Sequence, residues 1–187
     1  LIVIGCVIII PIIIVAVLTI VTFKYVKDND IDIKEYIEES ATMKGTIGDT
    51  LSGDDVKITL TDALIYPRIE GEAFTDTPAE GKEYLVFFFN VENIDDENNF
   101  VSIHNFTGYV DDTLVASKIL INNVDNVQYL SADLTPGKKA RGYVAYEVDT
   151  NWKQFDIHYK ENSFDYNDSM IFTVVNEENN QNNNNNA

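Results

Sequence analysis

The sequence contains one cysteine, Cys6, and this scarcity limits both its cross-links and its metal chemistry. A single thiol cannot form an intramolecular disulfide or supply the several thiolates of a structural zinc site. The two histidines, His104 and His158, are far apart in sequence and make no zinc site without further ligands. A folded domain in this chain must rely on a hydrophobic core, and about 130 residues are enough to build one.

Positive charge is also scarce, because 13 Lys and Arg residues stand against 31 Asp and Glu residues. Proteins that bind nucleic acid need Lys and Arg to neutralise phosphates, so we expect no nucleic-acid partner. The formal net charge of -18 predicts that the chain attracts cations or basic ligands and repels anionic polymers at low salt.

The sequence contains no P-loop, no G-x-G-x-x-G stretch and no G-x-S-x-G nucleophile elbow. We therefore expect no cofactor and favour a chain that is not an enzyme. A hydrolase with a Ser/His/Asp triad or a glycosidase-like carboxylate pair is a less favoured alternative, because composition alone does not exclude it.

The first 23 residues carry no charge, whereas every charged residue lies from Lys24 onward. About 20 apolar residues are enough for a helix to cross a bilayer, and a helix satisfies its own backbone in lipid. Residues 1–23 therefore predict one transmembrane helix, kinked at Pro11, with membrane lipid as its partner.

Two other interpretations of residues 1–23 are open. A cleaved signal peptide has a shorter apolar stretch and a small-residue cleavage site, which this run lacks. Val3-Ile4-Gly5-Cys6 resembles a lipobox, in which Cys6 would be lipidated, although an apolar run follows it instead of a polar linker. The weak basic signal of Lys24 and Lys27 fits an extracytoplasmic location for the remainder of the chain.

The chain after residue 23 divides into three parts. Residues 24–44 have the composition of a charged stalk, with a short helix around 32–41. Residues 45–177 carry short apolar runs between Gly, Pro, Asn and Asp clusters and predict the folded domain. Residues 178–187 are rich in Asn, and we expect this tail to be disordered.

The strand pattern of residues 45–177 predicts an all-β fold, an antiparallel immunoglobulin-like β-sandwich of seven or eight strands. In the strongest strand Phe87 and Phe89 share one face and Phe88 lies on the other, which needs a cover from the stalk or a partner. Trp152 follows a polar turn and is expected to fold back on the sheet. The predicted strands are 56–66, 83–93, a hairpin within 106–119, 127–133, 140–148, 155–159 and 170–175.

Four stretches resemble the DUF4352 family, an immunoglobulin-like extracellular domain related to the mycobacterial immunoprotective extracellular protein. The resemblance spans about 45–177 and implies an N-terminal anchor or lipoprotein signal, a location outside a bacterial cell and no catalytic residue. Thr113 stands where the family often has Gly after Asp, which leaves the type of the hairpin turn open. The four stretches are 56–59, 84–93, 106–114 and 134–148, and the last, which begins Leu134-Thr135-Pro136-Gly137, is the most specific.

One acidic run has the spacing of a calcium loop. Asp28, Asp30, Asp32 and Glu39 match positions 1, 3, 5 and 12 of an EF-hand loop. Position 6 requires Gly for a sharp turn, and here it is Ile33. We therefore interpret this run as a solvated stalk.

A second set of acidic residues lies in two predicted loops. Loops of a β-sandwich cluster at its ends, so carboxylates from two loops can together hold calcium through oxygen ligands. Solvated turns are the alternative, since Asp is favoured there in any case. The calcium candidates are Asp95, Asp96, Glu97, Asp111 and Asp112.

Together these patterns predict a single-pass membrane protein with one extracytoplasmic β-sandwich. We expect a non-enzymatic binding or interaction role at the bacterial cell surface, with an extracellular protein or other ligand as partner. A calcium-dependent structural or adhesion module is the alternative hypothesis, and a hydrolase is the third.

Overall fold

A computed structural model describes residues 43–161 and 170–177. The predicted transmembrane helix at 1–23, the lipidation candidate Cys6, the stalk up to residue 42 and the tail at 178–187 lie outside the described residues. Within the described part of the chain, no helix has the length and apolar character needed to cross a membrane.

The described residues form 14 strands and one 3-10 turn, η1 (Ile103–Asn105). Each longer predicted strand has a counterpart among them, and the added strands are short. The strands are β1 (Met43–Gly45), β2 (Thr50–Ser52), β3 (Val56–Tyr66), β4 (Ile69–Glu70), β5 (Thr75–Asp76), β6 (Lys82–Asn93), β7 (Asn99–Ser102), β8 (Phe106–Val110), β9 (Thr113–Val115), β10 (Ser117–Lys118), β11 (Ser131–Leu134), β12 (Lys139–Asp149), β13 (Gln154–Tyr159) and β14 (Met170–Val175).

Two five-stranded sheets form the body of the domain. The first sheet has the order β1-β14-β13-β8-β9, and the second has the order β10-β12-β6-β3-β2. Their inner faces contribute one shared hydrophobic core, and two small strand pairs, β11-β7 and β4-β5, lie beside them. This arrangement confirms the predicted all-β sandwich.

The strands β6 and β12 lie side by side inside the second sheet, and the middle stretch of each is apolar or aromatic, as burial on both faces requires. Their antiparallel register runs from Lys82 opposite Asp149 to Glu92 opposite Lys139. Phe87 and its neighbours of the same parity point into the shared core, as the alternation predicts. Fully burying one such side chain stabilises the fold by about 1.5–3 kcal/mol, so this strand pair contributes much of the core.

Gly108 on β8 allows two large core rings to approach the backbone of the first sheet. A Cβ at this position would lie 2.5 Å from Tyr146 and 2.6 Å from Phe155. Those two rings pack with their centroids 4.7 Å apart. The close contact between the two sheets at this point therefore depends on the missing side chain.

The hairpin between β8 and β9 turns at Asp111 and Asp112. Both residues have positive φ angles, 44° and 68°, which is the backbone of a type I′ turn. Asp tolerates this left-handed conformation, and Asp111 Oδ1 also accepts a hydrogen bond from the Gln154 N–H at 2.9 Å. The turn type left open by Thr113 is thereby settled, and Thr113 begins β9.

The first strand corrects two expectations. Met43 and Lys44, assigned from sequence to the stalk, belong to β1, which lies at the edge of the first sheet. β1 also pairs with β14 in parallel, so the sandwich is not entirely antiparallel. The two strands come from distant parts of the chain, and no hairpin forces them to run in opposite directions.

The half of the central strand's second face that contains Phe88 is covered by the chain itself, which corrects the expectation of a stalk or a partner. Phe88 belongs to a second hydrophobic cluster on the outer side of the second sheet. Ile69 on β4 packs into the same cluster, as do Leu120 and Val124 from the segment after β10. We call residues 119–127 the covering loop.

Three polar side chains, Asp76, Tyr66 and Tyr143, hold the covering loop against the sheet. The buried Asp76 carboxylate accepts hydrogen bonds from the N–H groups of Ile121 at 3.0 Å and Asn122 at 2.9 Å. The Tyr66 hydroxyl donates to Asp125 at 2.6 Å. Burial, with the nearby Asp76 carboxylate, raises the pKa of Tyr143 to about 12, so its hydroxyl stays protonated and donates to the Asn122 carbonyl at 3.2 Å.

Trp152 folds back on the sandwich as the sequence predicts. Its side chain is buried in the shared core, and Nε1 donates to Glu83 Oε1 at 3.0 Å. The buried indole therefore closes one end of the core and is not a surface recognition residue.

Candidate functional site

The outer face of the second sheet has a covered half and an exposed half. In the covered half, Phe88 and Tyr143 lie beneath the covering loop. In the exposed half, Ile58 on β3 and Val91 on β6 point inward, and the residues on either side of each along its strand point to solvent. We call this exposed half the open face. Its six outward residues are Lys57, Thr59, Asn90, Glu92, Lys139 and Arg141.

The strand register places these six residues in two parallel rows. Lys57 on β3 lies opposite Glu92 on β6, which lies opposite Lys139 on β12. The next row on the same face has Thr59, Asn90 and Arg141 in the same order of strands. Neighbouring strands are about 4.8 Å apart, so the two lysines of the first row are anchored about 10 Å from each other.

Contacts within the open face position two of its cations. Lys139 Nζ lies 3.1 Å from Glu92 Oε2, in a pair whose lysine is 68% exposed. Such an exposed pair is weak, so Lys139 can exchange Glu92 for another anion at little cost. The Arg141 guanidinium carbon lies 6.0 Å from the Phe88 ring centroid, within range of a cation–π contact. Arg141 therefore lies at the border of the covered half.

Hydroxyl groups continue the second row to the edge of the sheet. Thr50 on β2 lies opposite Thr59, and their hydroxyl oxygens are 2.8 Å apart. A hydroxyl can donate and accept at the same time, so this pair retains hydrogen-bonding capacity for a ligand. The open face thus presents charge in one row and neutral polar groups in the next.

The open face surrounds a shallow depression of about 410 Å3. Three of the 13 Lys and Arg residues of the chain line it, together with one carboxylate. In a chain with a net charge of -18, this is a local reversal of sign. The arrangement can bind an anionic group through charge-assisted hydrogen bonds.

The predicted calcium loops are not brought together. Asp111 lies with Lys82 and Asp149 at the end of the sheet where β6 begins. Asp95 follows the other end of β6, where its N–H donates to the Asp55 carbonyl at 3.2 Å. A 12-residue strand spans about 35 Å, so carboxylates of the two loops cannot share one ion.

The remaining calcium candidates also form no cluster with enough ligands. Asp96 and Glu97 follow Asp95 in the same loop, and Asp112 shares the turn of Asp111. Among the described residues, no group of three or more His, Cys, Asp or Glu side chains is placed to hold a metal ion. A calcium role for either loop alone stays a prediction.

Asp95 has acidic neighbours that the sequence did not indicate. Glu161 Oε1 accepts hydrogen bonds from the N–H groups of Asp55 at 3.1 Å and Val56 at 3.4 Å. Burial raises the pKa of the Glu161 carboxyl, and the nearby Asp55 and Asp54 charges raise it further against the lowering effect of the two N–H groups. Burial and the charges of Asp95 and Asp54 likewise raise the pKa of Asp55.

The two histidines lie in different settings. His104 is exposed in η1, whereas His158 lies on the outer face of β13 with its ring 4.7 Å from the Tyr109 ring. Asp156 shares the face of His158, but its carboxylate accepts hydrogen bonds from Thr173 at 2.6 Å and Gln154 at 2.9 Å. Each oxygen of this carboxylate therefore accepts a hydrogen bond from a group other than the imidazole.

The open face is not among the sites predicted from the sequence. Its signal was the polar positions that alternate with the apolar ones, such as Lys57 and Thr59 around Ile58. That alternation shows that the side chains point outward, but not which strand lies beside which. The pairing of β6 with β3 and with β12 brings together Lys57, Glu92 and Lys139, which are far apart in sequence.

The two packed sheets place the described domain in the class of β-sandwich proteins. The sequence profile described as "Domain of unknown function (DUF4352)" matches residues 45–184, and the chain belongs to this family. The match confirms the resemblance found in the sequence. Among curated proteins, none matches the chain.

Solved structures share the fold at low sequence identity. YcdA of Bacillus subtilis, a candidate lipoprotein, superposes with a TM-score of 0.56 at 14% identity over 72% of this chain and 41% of its own. YjhA of Bacillus subtilis has a TM-score of 0.54 at 18% identity over 70% of this chain and 98% of its own. The secreted protein MPT63 of Mycobacterium tuberculosis has a TM-score of 0.48 at 13% identity over 71% and 98%.

Proposed function

We propose that this chain is a membrane-anchored protein of the bacterial cell surface whose extracytoplasmic β-sandwich binds an anionic ligand on the open face. The observation that supports it best is the position of Lys57, Lys139 and Arg141 on two adjoining rows of one exposed sheet surface. The three cations outnumber the single carboxylate among them, Glu92, so this patch carries a local positive charge that can attract an anion.

The location outside the cell is supported by two features. Residues 1–23 have the composition of a membrane anchor. YcdA, which shares the fold, is described as a candidate lipoprotein, and lipoproteins are anchored at the membrane surface. An anchored domain with no disulfide relies on its core for stability in this location.

A binding role suits the open face better than catalysis. The face offers positive charge and neutral hydrogen-bonding groups across a shallow surface. The Thr59 hydroxyl, its candidate nucleophile by residue type, is hydrogen-bonded to the Thr50 hydroxyl instead of a base. The face is therefore equipped to hold an anion and not to activate a group for attack.

A titration of the full 187-residue chain with inorganic polyphosphate tests this function. We expect binding by isothermal titration calorimetry that weakens as salt is raised, because salt screens exposed charges. Replacing Lys57, Lys139 and Arg141 together by Gln should lower the affinity about tenfold or more, since three exposed charge contacts contribute about 1–3 kcal/mol in all.

A matched control keeps the same change in net charge at other places. Lys82, Lys118 and Lys153 lie away from the open face, and their combined replacement by Gln should lower the affinity far less. Equal losses in the two triple variants would show that polyphosphate senses net charge only, and the proposed function would then be wrong.

A further inference from the structure

Asn90 marks the position on the open face that every donor side chain can reach. It lies opposite Thr59 on one side and Arg141 on the other, each about 4.8 Å away on the neighbouring strand. Lys57 and Lys139 occupy its diagonal positions, about 7–8 Å away, and their flexible four-carbon stems span that distance. One tetrahedral anion above Asn90 can therefore accept from Thr59 and Arg141 while both lysine ammonium groups approach it.

The charge balance of the open face matches a dianion. Three cations against one carboxylate leave a net charge of +2 among its six residues. A phosphate group carries about -1.5 to -2 near neutral pH, and its tetrahedral oxygens can accept from donors in several directions. A carboxylate ligand has one charge and two oxygens in a plane, so it would leave part of the donor set unused.

The carboxylate among the cations distinguishes one anion from another. Glu92 lies between Lys57 and Lys139 in the first row. A carboxylate at this position repels an anion that has no hydrogen to donate, whereas it forms a charge-assisted hydrogen bond with one that has. Glu92 Oε2 lies 3.1 Å from Lys139 Nζ, and the carboxylate has further lone pairs that can accept from a ligand.

Inorganic phosphate is the dianion whose chemistry suits Glu92. The hydrogen phosphate ion, HPO₄²⁻, keeps one P–O–H group, which can donate to the carboxylate. Sulfate has the same shape and charge but has no hydrogen. The dianion of a phosphate monoester also has none on its phosphate group. Sulfate and a monoester would therefore meet the repulsion of Glu92 without the hydrogen bond that offsets it.

On the basis of the proposed function, we infer that the open face binds a single inorganic phosphate as the hydrogen phosphate dianion. Its oxygens accept from Thr59, Asn90 and Arg141 and attract both lysines. Its P–O–H group donates to Glu92. The contacts are exposed and therefore weak, so the site responds to phosphate at concentrations of about 1 mM.

Titrations of the full 187-residue chain at about pH 8 compare phosphate, sulfate and methyl phosphate, which is then a dianion. The backbone amide shifts of Asn90 and Arg141, followed by NMR, report both the affinity and the location. We expect phosphate to bind about tenfold more tightly than either of the other anions, because a charge-assisted hydrogen bond replaces a repulsion. The amides of β13, on the other sheet, should not shift.

The variant Glu92→Gln tests the group that distinguishes the anions. It removes the negative charge at nearly constant size, so sulfate should bind more tightly and the preference for phosphate should fall to about twofold or less. Glu147→Gln is the matched control, because Glu147 Oε2 also lies 3.1 Å from a lysine, Lys118, away from the open face. This control should keep the preference, and a melting temperature near that of the parent chain confirms that each variant is folded.

The outcomes separate this inference from the proposed function. If sulfate or methyl phosphate binds the parent chain as tightly as phosphate, or if Glu92→Gln keeps the preference, the phosphate assignment is wrong. It is also wrong if phosphate does not shift the amides of the open face. In each case the proposed function stands if polyphosphate binding depends on Lys57, Lys139 and Arg141. If neither phosphate nor polyphosphate binds in a manner that depends on these three cations, both are wrong.

Discussion

Tyr146 stands out at the residue scale because its hydroxyl is buried in the shared core. Among the described residues, it is the buried side-chain group that has no hydrogen-bond partner. Its ring packs edge-on against Phe87, with the centroids 5.9 Å apart, and at a tilt against Phe155, with the centroids 4.7 Å apart. The ring therefore stabilises the core, whereas the hydroxyl has lost its water without compensation.

The variant Tyr146→Phe should stabilise the chain. It removes the uncompensated hydroxyl and keeps the ring, so we expect the free energy of unfolding to rise by about 1 kcal/mol in urea denaturation. Tyr143→Phe is the matched control. The Tyr143 hydroxyl donates to the Asn122 carbonyl, so the loss of this hydroxyl should lower the free energy of unfolding. A drop in stability for Tyr146→Phe would mean that the hydroxyl has a partner.

At the scale of elements, the covering loop is the part whose position depends most on single polar contacts. Asp76 alone accepts from the backbone of two successive loop residues, Ile121 and Asn122, and from the Asn122 side chain at 2.9 Å. Leu120 beside them is buried on the sheet. The loop is therefore fixed by one carboxylate and a few apolar anchors.

The variant Asp76→Ala should loosen the covering loop. It leaves the part-buried N–H groups of Ile121 and Asn122 without their acceptor, so we expect a loss of about 1–3 kcal/mol in stability. Amide hydrogen exchange of Ile121 and Asn122 should accelerate more than that of β13. The control Tyr66→Phe removes one exposed hydrogen bond to Asp125 and should have a smaller effect. Equal exchange in the parent chain and Asp76→Ala would contradict this role.

The long strands could be predicted from sequence because their signal is local. Alternation or continuous apolar character marks β6, β12 and β13, and a Pro-Gly turn marks the start of β12. The Gly137 φ of 71° and the Lys138 N–H bond to the Thr135 carbonyl at 3.0 Å agree with that turn.

The remaining elements depend on contacts that no local pattern encodes. β1, β4, β5 and β10 have two or three residues each and exist only because a partner strand lies beside them. The covering loop is apolar at scattered positions, and its target, Phe88, is distant in sequence. The open face was missed for the same reason, since its residues meet only through strand register.

At the scale of the whole molecule, the acidic surface makes stability depend on pH. The pKa of Glu161 and that of Asp55 are raised, which means that the folded chain holds these protons more tightly than the unfolded chain. Their contribution to stability is therefore present below the ordinary carboxyl range and is lost as the pH rises through the raised pKa values.

The variant Glu161→Gln should raise the melting temperature of the full chain at pH 7. The amide oxygen can still accept from the N–H groups of Asp55 and Val56, and the repulsion from Asp55 is removed. The gain should shrink as the pH falls through the raised pKa of the parent carboxyl, which then takes up its proton. Asp133→Asn, an exposed change on β11, is the control, and a lower melting temperature for Glu161→Gln at pH 7 would contradict the argument.

The two main sheets end in very short strands, which matters wherever many copies stand side by side. β1, β2 and β9 have three residues and β10 has two, and these are the outermost strands of both sheets. An edge of that length offers too few unpaired backbone groups to template pairing with another chain. Copies held at high density on a surface would therefore resist joining edge to edge into aggregates, even though each contains a wide, strongly apolar β-structure.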